Sequence, residues 1–364
     1  MSDHNTISMK QALRYWHPVA SSEQLQQSAQ RPLPITICGE SIIIFRTSSG
    51  QLGALRDRCP HRGAPLSLGC IEGEHVACKY HGWTYDNKGE GSSPSGSRAS
   101  VTVESFDIEE RYGFIWVKVK DSNDKIPDFD DASYRKIASK TYPANVPFEL
   151  FVDNMLELEH SPTVHGIFGF DFTALKQMKY EDKYEDDSLY VLYEGQQRQL
   201  PLYMSIGTGV KSHDNYKFSI DMRFAPVYAI YDHEWYCAKT GKKRDFCLRF
   251  VIYFTPVTDK TCRQFTIFYI QSSKLGRLGF DAIIDPILRH TVDLEVGYDI
   301  QLLESLRPEL NNVEEFHLGR FDRPIIESRK RIKHLYFGEP QTVVTSRTIP
   351  IVQLHAVTAC APME

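Results

Sequence analysis

The sequence predicts an α+β chain in which a small all-β domain precedes a larger domain built from an antiparallel sheet and a long helix. Three observations carry this. Short apolar runs separated by Gly-bearing turns fill the first third; longer, aromatic-rich strand-like runs follow; a helical stretch closes the pattern. Runs of strands followed by a helix that can lie across them are the mark of an α+β domain. With 364 residues, 41% hydrophobic and 24% charged, the chain is long enough for two cores.

The first domain is expected over residues 1–120. After Trp16-His17-Pro18 comes a short helix over Ser22–Ala29. From Ile35 the apolar period shortens: Ile35–Cys38 and Ser41–Arg46 flank Gly39-Glu40 as a hairpin, and Ser48-Ser49-Gly50 turns the chain into Leu52–Asp57. A Ser/Gly/Pro loop occupies Gly89–Gly96, and the apolar run Tyr112–Val119 reads as a buried strand. Asp121–Asp131, Asp-rich and holding Pro127, is the natural linker, taken as 121–135. The second domain is expected over 136–340, with a tail at 341–364. It begins with a helical stretch near Phe151–His160 and continues through strands at Ser188–Glu194, Lys217–Phe224, Phe246–Thr255 and Cys262–Gln271. Asp285-Pro286 then opens a helix to Leu306, as a cap and first-position pair. No internal repeat occurs.

Composition narrows the function. A net charge of -5 and a pI near 6.2, with no long basic run, give no electrostatic footprint for nucleic acid or an anionic membrane. A small-molecule substrate is expected instead. The start MSDHNTISMKQALRYW has no apolar core behind a positive segment, and runs such as Ile42–Phe45 are too short to span a bilayer, so a cytoplasmic protein is expected. The Cys residues at 38, 59, 70, 78, 237, 247, 262 and 360 show no disulfide spacing; apart from Cys59 and Cys78 they are expected to be free buried thiols.

Cys59 and Cys78 belong to a pattern. Cys59 and His61 form C-x-H, Cys78 and His81 form C-x-x-H, and sixteen residues separate the pairs. Each short loop thus offers one thiolate and one imidazole. Two such loops facing each other can hold a 2Fe-2S cluster with Cys on one iron and His on the other, an electron-transfer site with a raised potential. Two Cys and two His also suit one tetrahedral zinc. Pro60, Gly63, Pro65 and Gly82 surround the ligands, as expected where backbone N–H groups must approach sulfur.

A second constellation lies at Asp153–His165, with two His five apart and acids just before them. On an unbroken helix those His would point about 140° apart. Pro162 breaks the helix and lets His165 swing back toward His160. Two His and a carboxylate with open positions is the arrangement used for O2-activating Fe(II); a chance pair of core His is the alternative. The acid is sought on the later helix, where Val292, Val296, Asp299, Leu303 and Leu306 form one stripe. Among Asp293, Glu295, Asp299 and Glu304, Asp299 falls in that stripe, and a carboxylate there must be paired or metal-bound. Asp293 neighbours Arg289 and His290 and reads as a surface or structural charge. Glu159 is expected to face solvent.

CPHRGAPL followed by CKYHGWTYD resembles the cluster motif of Rieske non-haem iron oxygenases. DNMLELEHSPTVHG is similar to the mononuclear-iron motif of their α subunits, and YDIQLLESLRP resembles the helix that supplies their carboxylate ligand. The resemblance implies a Rieske domain followed by a START-like, helix-grip catalytic domain. It implies Cys59, His61, Cys78 and His81 as cluster ligands and His160, His165 and Asp299 as Fe(II) ligands. Asn154 matches a nearby polar residue of the iron site. Glu157 stands where the family has Asp, the hydrogen-bonded bridge between a cluster His of one subunit and an iron His of its neighbour. Electrons would then pass from the cluster through His81 and Glu157 toward the iron. The implied activity is O2-dependent hydroxylation or oxidative demethylation of a small, cyclic substrate, as in the O-demethylase, pheophorbide-type and saxitoxin-type hydroxylase groups. Ring dihydroxylation and a non-enzymatic Rieske electron carrier are the alternatives, with a zinc-stabilised START-like binding protein as a third. The chain shows no dinucleotide G-x-G-x-x-G and no plant-type ferredoxin Cys run, so a separate ferredoxin or reductase is expected as donor. A head-to-tail homotrimer is also implied.

Overall fold

The computed structural model describes residues 11–28, 30–96, 100–120, 122–306 and 317–340. The expected tail at 341–364, Cys360 and the first linker residue, Asp121, lie outside the described residues. The chain divides into two compact units: residues 1–129 with 139–148 and 252–267, and residues 130–138 with 149–251 and 268–364.

The first unit is β-rich. Strand β1 (His17–Ser21) leads into a helix at Ser22–Gln27, which Ser21 starts with a capping box: its Oγ accepts from Gln24 N, and Gln24 Oε1 accepts from Ser21 N. Strands β2 (Leu33–Ile37), β3 (Glu40–Arg46) and β4 (Leu52–Arg56) form a meander. The tight turn between β2 and β3 sits one residue earlier than expected. Cys38 and Gly39 take φ of 50° and 75°, the two left-handed positions that a right-twisted hairpin needs, so the strand resumes at Glu40. Strands β5 (Cys70–Glu72), β6 (His75–Ala77), β7 (Thr84–Tyr85), β8 (Glu90–Ser92) and β9 (Val101–Thr102) make a five-stranded sheet. Strands β10 (Phe106–Arg111) and β11 (Phe114–Val119) pair with each other, and β11 with β1. Ile43, Phe45, Leu55, Leu66, Val76 and Tyr85 pack into one buried cluster together with Cys59 and Cys78. The motif loops are thereby set on a hydrophobic floor.

A seven-stranded sheet runs in the order β12-β18-β17-β16-β15-β14-β13. Its strands are β12 (Arg135–Ala144), β13 (Lys179–Tyr184), β14 (Ser188–Gln196), β15 (Asn215–Phe224), β16 (Val227–Tyr236), β17 (Lys243–Pro256) and β18 (Cys262–Gln271). Within the second unit β13 to β16 pair antiparallel, with Tyr193 opposite Phe218 and Phe218 opposite His233, and with Val191 opposite Ile220 and Ile220 opposite Tyr231. Alternate residues share a face, so Tyr193, Phe218, Tyr231 and His233 lie on one side. Tyr193 and Tyr231 donate from that side to the carbonyls of Leu156 and Met155. They fasten the sheet to the end of a helix at Phe148–Leu156.

Helical boundaries differ from expectation. The helix expected over Ser22–Ala29 ends at Gln27, and the one expected near Phe151–His160 spans Phe148–Leu156. The long helix spans Asp281–Ser305 with Pro286 inside it, not at its first turn. Arg135 holds the turn before Pro286 by donating to Asp281 and Asp285, which lie one turn apart. Leu306, assigned to the apolar stripe, lies past the helix end and is 50% exposed. A further helix at Arg323–Arg331 was not anticipated. The described Cys residues are all free, but Cys70 is exposed and Cys237 half-buried, so the expectation of buried thiols holds only for Cys38, Cys247 and Cys262.

Candidate metal centres

The two motif loops have the same local construction. In the first, Gly63 N donates to Cys59 O and Cys59 N to Ala64 O; in the second, Gly82 N donates to Cys78 O and Cys78 N to Trp83 O. Gly63 and Gly82 close these turns at φ of 75° and 69°, a conformation a side chain resists. The loops bring like with like. Cys59 and Cys78 lie within side-chain hydrogen-bonding reach of each other, and the His61 and His81 rings stand 4.6 Å apart. Cys78 also faces the backbone N–H groups of Tyr80 and His81, while Tyr85 Oη lies 3.1 Å from Cys59 Sγ. His61 stacks on Trp83, and its buried Nδ1 meets no hydrogen-bond partner in the structure.

These facts test which metal group fits. A single zinc would hold its sulfurs and nitrogens at most about 3.8 Å apart. Among the described residues, only His160, His165 and Asp299 bring three metal-ligating atoms within 4.8 Å of one another. A thiol pair beside an imidazole pair, with N–H and O–H groups aimed at sulfur, fits a two-iron cluster ligated by Cys on one side and His on the other. Hydrogen bonds to cluster sulfur stabilise the reduced form. Tyr85→Phe should accordingly lower the reduction potential while leaving visible absorption in place, which spectroelectrochemical titration checks; an unchanged or higher potential would remove the Tyr85–Cys59 contact from the account.

The second centre is assembled by a break in the chain. After Leu156 the Glu157 side chain turns back and accepts from Glu159 N at 2.8 Å and His160 N at 3.2 Å, ending the helix and starting the single turn Ser161–Val164. The redirection begins before Pro162, at Glu157. His165 then folds back so that His160 Nε2 and His165 Nε2 lie 3.1 Å apart. Asp299, from the Asp281–Ser305 helix, places Oδ1 at 3.6 Å from both. Glu159 is exposed, as expected.

The electrostatics of this triangle call for a cation. Glu157 Oε1 lies 2.5 Å from His160 Nδ1, so in the neutral ring that donates from Nδ1 the lone pair is on Nε2. Burial opposes charge on His160, but Glu157 outweighs it and raises the ring's pKa. Burial, then His160 and Arg198, press His165 down to about 3, so it is neutral. Burial pushes Asp299 up to about 7 against the pull of His160. Asp299 Oδ1 is buried with no hydrogen-bond partner. Three acceptor atoms thus converge with nothing between them. Ligand edges of about 3 to 3.5 Å are what a shared ion at about 2.1 Å produces, so the residues fit a mononuclear metal of the two-His, one-carboxylate type.

Asn154 lies on the same helix end, its Oδ1 buried and likewise without a hydrogen-bond partner. Two charged features here were not foreseen. Asp153 pairs with Arg329 from the Arg323–Arg331 helix, at 2.9 and 2.5 Å, both side chains being buried. Glu295, set aside in favour of Asp299, has its carboxyl pushed up to about 7 by burial. Phe170 is core against Tyr216, and Tyr203 is 51% exposed. Phe218 and Phe250 flank His233 on the sheet face that meets the Leu156 end of the helix, with ring separations of 4.8 and 5.0 Å.

Comparison with known proteins places the chain in a family. Residues 15–106 match the Rieske [2Fe-2S] domain, and residues 144–336, more than half of the chain, match the vanillate O-demethylase oxygenase C-terminal domain. The chain belongs to the Rieske oxygenases with a vanillate O-demethylase-type C-terminal domain. This Rieske oxygenase is similar to methylxanthine N1-demethylase NdmA of Pseudomonas putida, 33% identical over 43% of the chain and 48% of that protein. It is also similar to the vanillate O-demethylase oxygenase subunit of Pseudomonas sp. (strain HR199 / DSM 7063), 32% identical over 42% of the chain and 44% of that protein. The matches therefore span under half the length of these curated relatives. In fold it resembles dicamba monooxygenase bound to 3,6 dichlorosalicylic acid, with a TM-score of 0.75 at 24% identity, over 89% of this chain and 97% of that one. The Rieske domain carries a 2Fe-2S cluster, and the oxygenase domain uses a mononuclear non-haem iron. Among the described residues no helix is long and apolar enough to cross a membrane.

Proposed function

We propose that this chain is the oxygenase component of a Rieske monooxygenase that hydroxylates or oxidatively demethylates a small cyclic substrate. The observation that carries the reading is the triangle of His160, His165 and Asp299, one corner of which is a buried carboxylate oxygen without a hydrogen-bond partner. A pure electron carrier has no use for that triangle. The functional domains are assigned to residues 1–120 and 136–340, joined by 121–135.

Cys59, His61, Cys78 and His81 would hold the cluster, and His160, His165 and Asp299 the iron. When bound, the cluster supplies electrons one at a time and the iron supplies O2 activation. Glu157 fixes the His160 ring with Nε2 toward the metal position, and its carboxylate stays partly exposed. His81, exposed in this chain, is the imidazole that a neighbouring copy would present to Glu157 in a head-to-tail homotrimer. Asn154 offers a polar contact beside the triangle. The electrons would come from a separate ferredoxin or reductase, in the cytoplasm. The similarity to proteins named as O- and N-demethylases favours a methylated ring as substrate.

Two measurements test this. Turnover of methoxy- and N-methyl-substituted ring compounds with a surrogate ferredoxin and reductase should release formaldehyde; release of cis-diols instead would move the reading to ring dihydroxylation. Glu157→Gln should keep both metal groups but cut coupled turnover about 10- to 100-fold, the usual effect of altering a ligand's hydrogen-bonded partner. Wild-type turnover in that variant would remove Glu157 from the electron path.

A further inference from the structure

His165 has an exposed structural problem. It follows the single turn Ser161–Val164 and begins a stretch, 165–169, without regular secondary structure. No helix or sheet ladder fixes its backbone, yet its ring must meet His160 and Asp299 to within tenths of an ångström. Three side chains from distant parts of the second unit take up that role. Arg198 donates one guanidinium N–H to His165 O and another to Pro162 O at 3.2 Å, and its backbone N–H to Gly169 O at 3.1 Å. The buried Gln197 side chain donates to Ile167 O at 3.3 Å and is itself held by Trp235 Nε1 at 2.8 Å. Glu295 accepts from the N–H groups of Gly166 and Ile167, the latter at 3.4 Å.

Glu295 is placed for a particular consequence. It stands four residues, one helical turn, before Asp299. One helix therefore carries a metal-facing carboxylate and, a turn earlier, a carboxylate that grips the backbone just after His165. Arg198 pulls on the carbonyl side of the same stretch, and its charge favours ionised Glu295. The two grip opposite backbone polarities, N–H and C=O, so the stretch cannot slide or rotate without breaking contacts on one side.

We propose that Glu295 and Arg198 are a paired positioning device that locks His165 to the helix bearing Asp299, so that the three-ligand triangle is formed before the metal arrives. The proposal rests on reading His160, His165 and Asp299 as a metal site. Preformed ligands lower the cost of ordering that binding must otherwise meet, so loosening the device should appear first in metal affinity.

The test is Co(II) titration of cluster-loaded full-length protein whose mononuclear site has been emptied by chelation, followed by the ligand-field bands of bound Co(II). Glu295→Ala should weaken Co(II) binding about 10- to 100-fold and alter the band pattern, with cluster absorption unchanged. Glu295→Gln keeps a carbonyl acceptor and should restore both. Arg198→Met should weaken binding similarly and serves if Glu295→Ala does not fold. Wild-type affinity in Glu295→Ala and Arg198→Met would overturn the proposal, even if their melting temperatures fell, because the contacts would then be merely structural. Failure of Glu295→Gln to recover would also overturn it, since charge and not the backbone grip would be at work. A wild-type protein that binds no Co(II) would instead sink the metal-site reading beneath it.

Discussion

Asp299→Ala should abolish turnover and release the mononuclear iron while the visible absorption of the cluster persists. Asp299 Oδ1 stands 3.6 Å from both His Nε2 atoms and has no hydrogen-bond partner, although its side chain is almost wholly buried. A buried carboxylate without a counter-ion is costly, and its pKa, pushed up to about 7, reflects that cost. A metal cation supplies what is missing. Removing the carboxylate leaves two neutral imidazoles, too few anionic donors for tight divalent binding. The alanine also relieves the desolvated charge, so the protein should be no less stable without metal than the parent without metal. Metal analysis and absorption on the same sample separate the two centres. Retained iron and turnover would mean that another acid is the ligand, with Glu295, a turn away, the first to examine.

Arg329→Met should destabilise the second unit by about 3–5 kcal/mol, a fall in melting temperature of roughly 6–20 °C. Arg329 Nη2 meets Asp153 Oδ2 at 2.5 Å and its Nε meets both carboxylate oxygens, with both side chains less than a tenth exposed. Burial drives the Asp153 carboxyl up to about 6 in spite of the guanidinium beside it, so the ion is expensive even when paired. Deprived of Arg329 it is stranded. Asp153 adjoins Asn154 on the helix whose end feeds Glu157 and His160, so the damage would reach the metal site. Adding Asp153→Leu should recover part of the loss, because two apolar side chains of similar volume replace a buried pair at little cost. Thermal unfolding of the single and double variants checks this; a loss below about 1 kcal/mol in the single variant would mean the pair is solvated in solution.

The features legible in the sequence were those whose chemistry is local. The Cys59–His81 motif declares itself because each Cys/His pair lies within four residues of one turn and glycine marks where the backbone must bend left-handed. His160 and His165 were legible for the same reason, and Asp299 because a carboxylate in an apolar stripe has few explanations. The manner of assembly was less legible. Pro162 drew attention as the helix breaker, whereas Glu157 ends the helix five residues earlier by capping the next turn with its own carboxylate, a competition between side chain and backbone for the same N–H groups. Glu295 and Arg198 were hidden because their partners are backbone groups that only the tertiary fold brings near. β13 was missed because KYEDKY is an edge strand with every other residue exposed, which weakens the apolar signal. β16 was legible in principle, since Val227, Ala229, Tyr231 and Trp235 alternate along it. The long helix was expected to start at Asp285-Pro286, a sound local signal that Arg135 overrides from another strand by bridging Asp281 and Asp285.

The central claim is that each chain holds two separate iron groups, and the most direct test is the ratio of iron to acid-labile sulfide in the purified protein. The account predicts the two sulfides of one 2Fe-2S cluster with one iron more than the cluster's own pair, and the extra iron alone lost on mild chelation. Iron equal to sulfide, in protein reconstituted with excess Fe(II), would contradict it and leave an electron carrier.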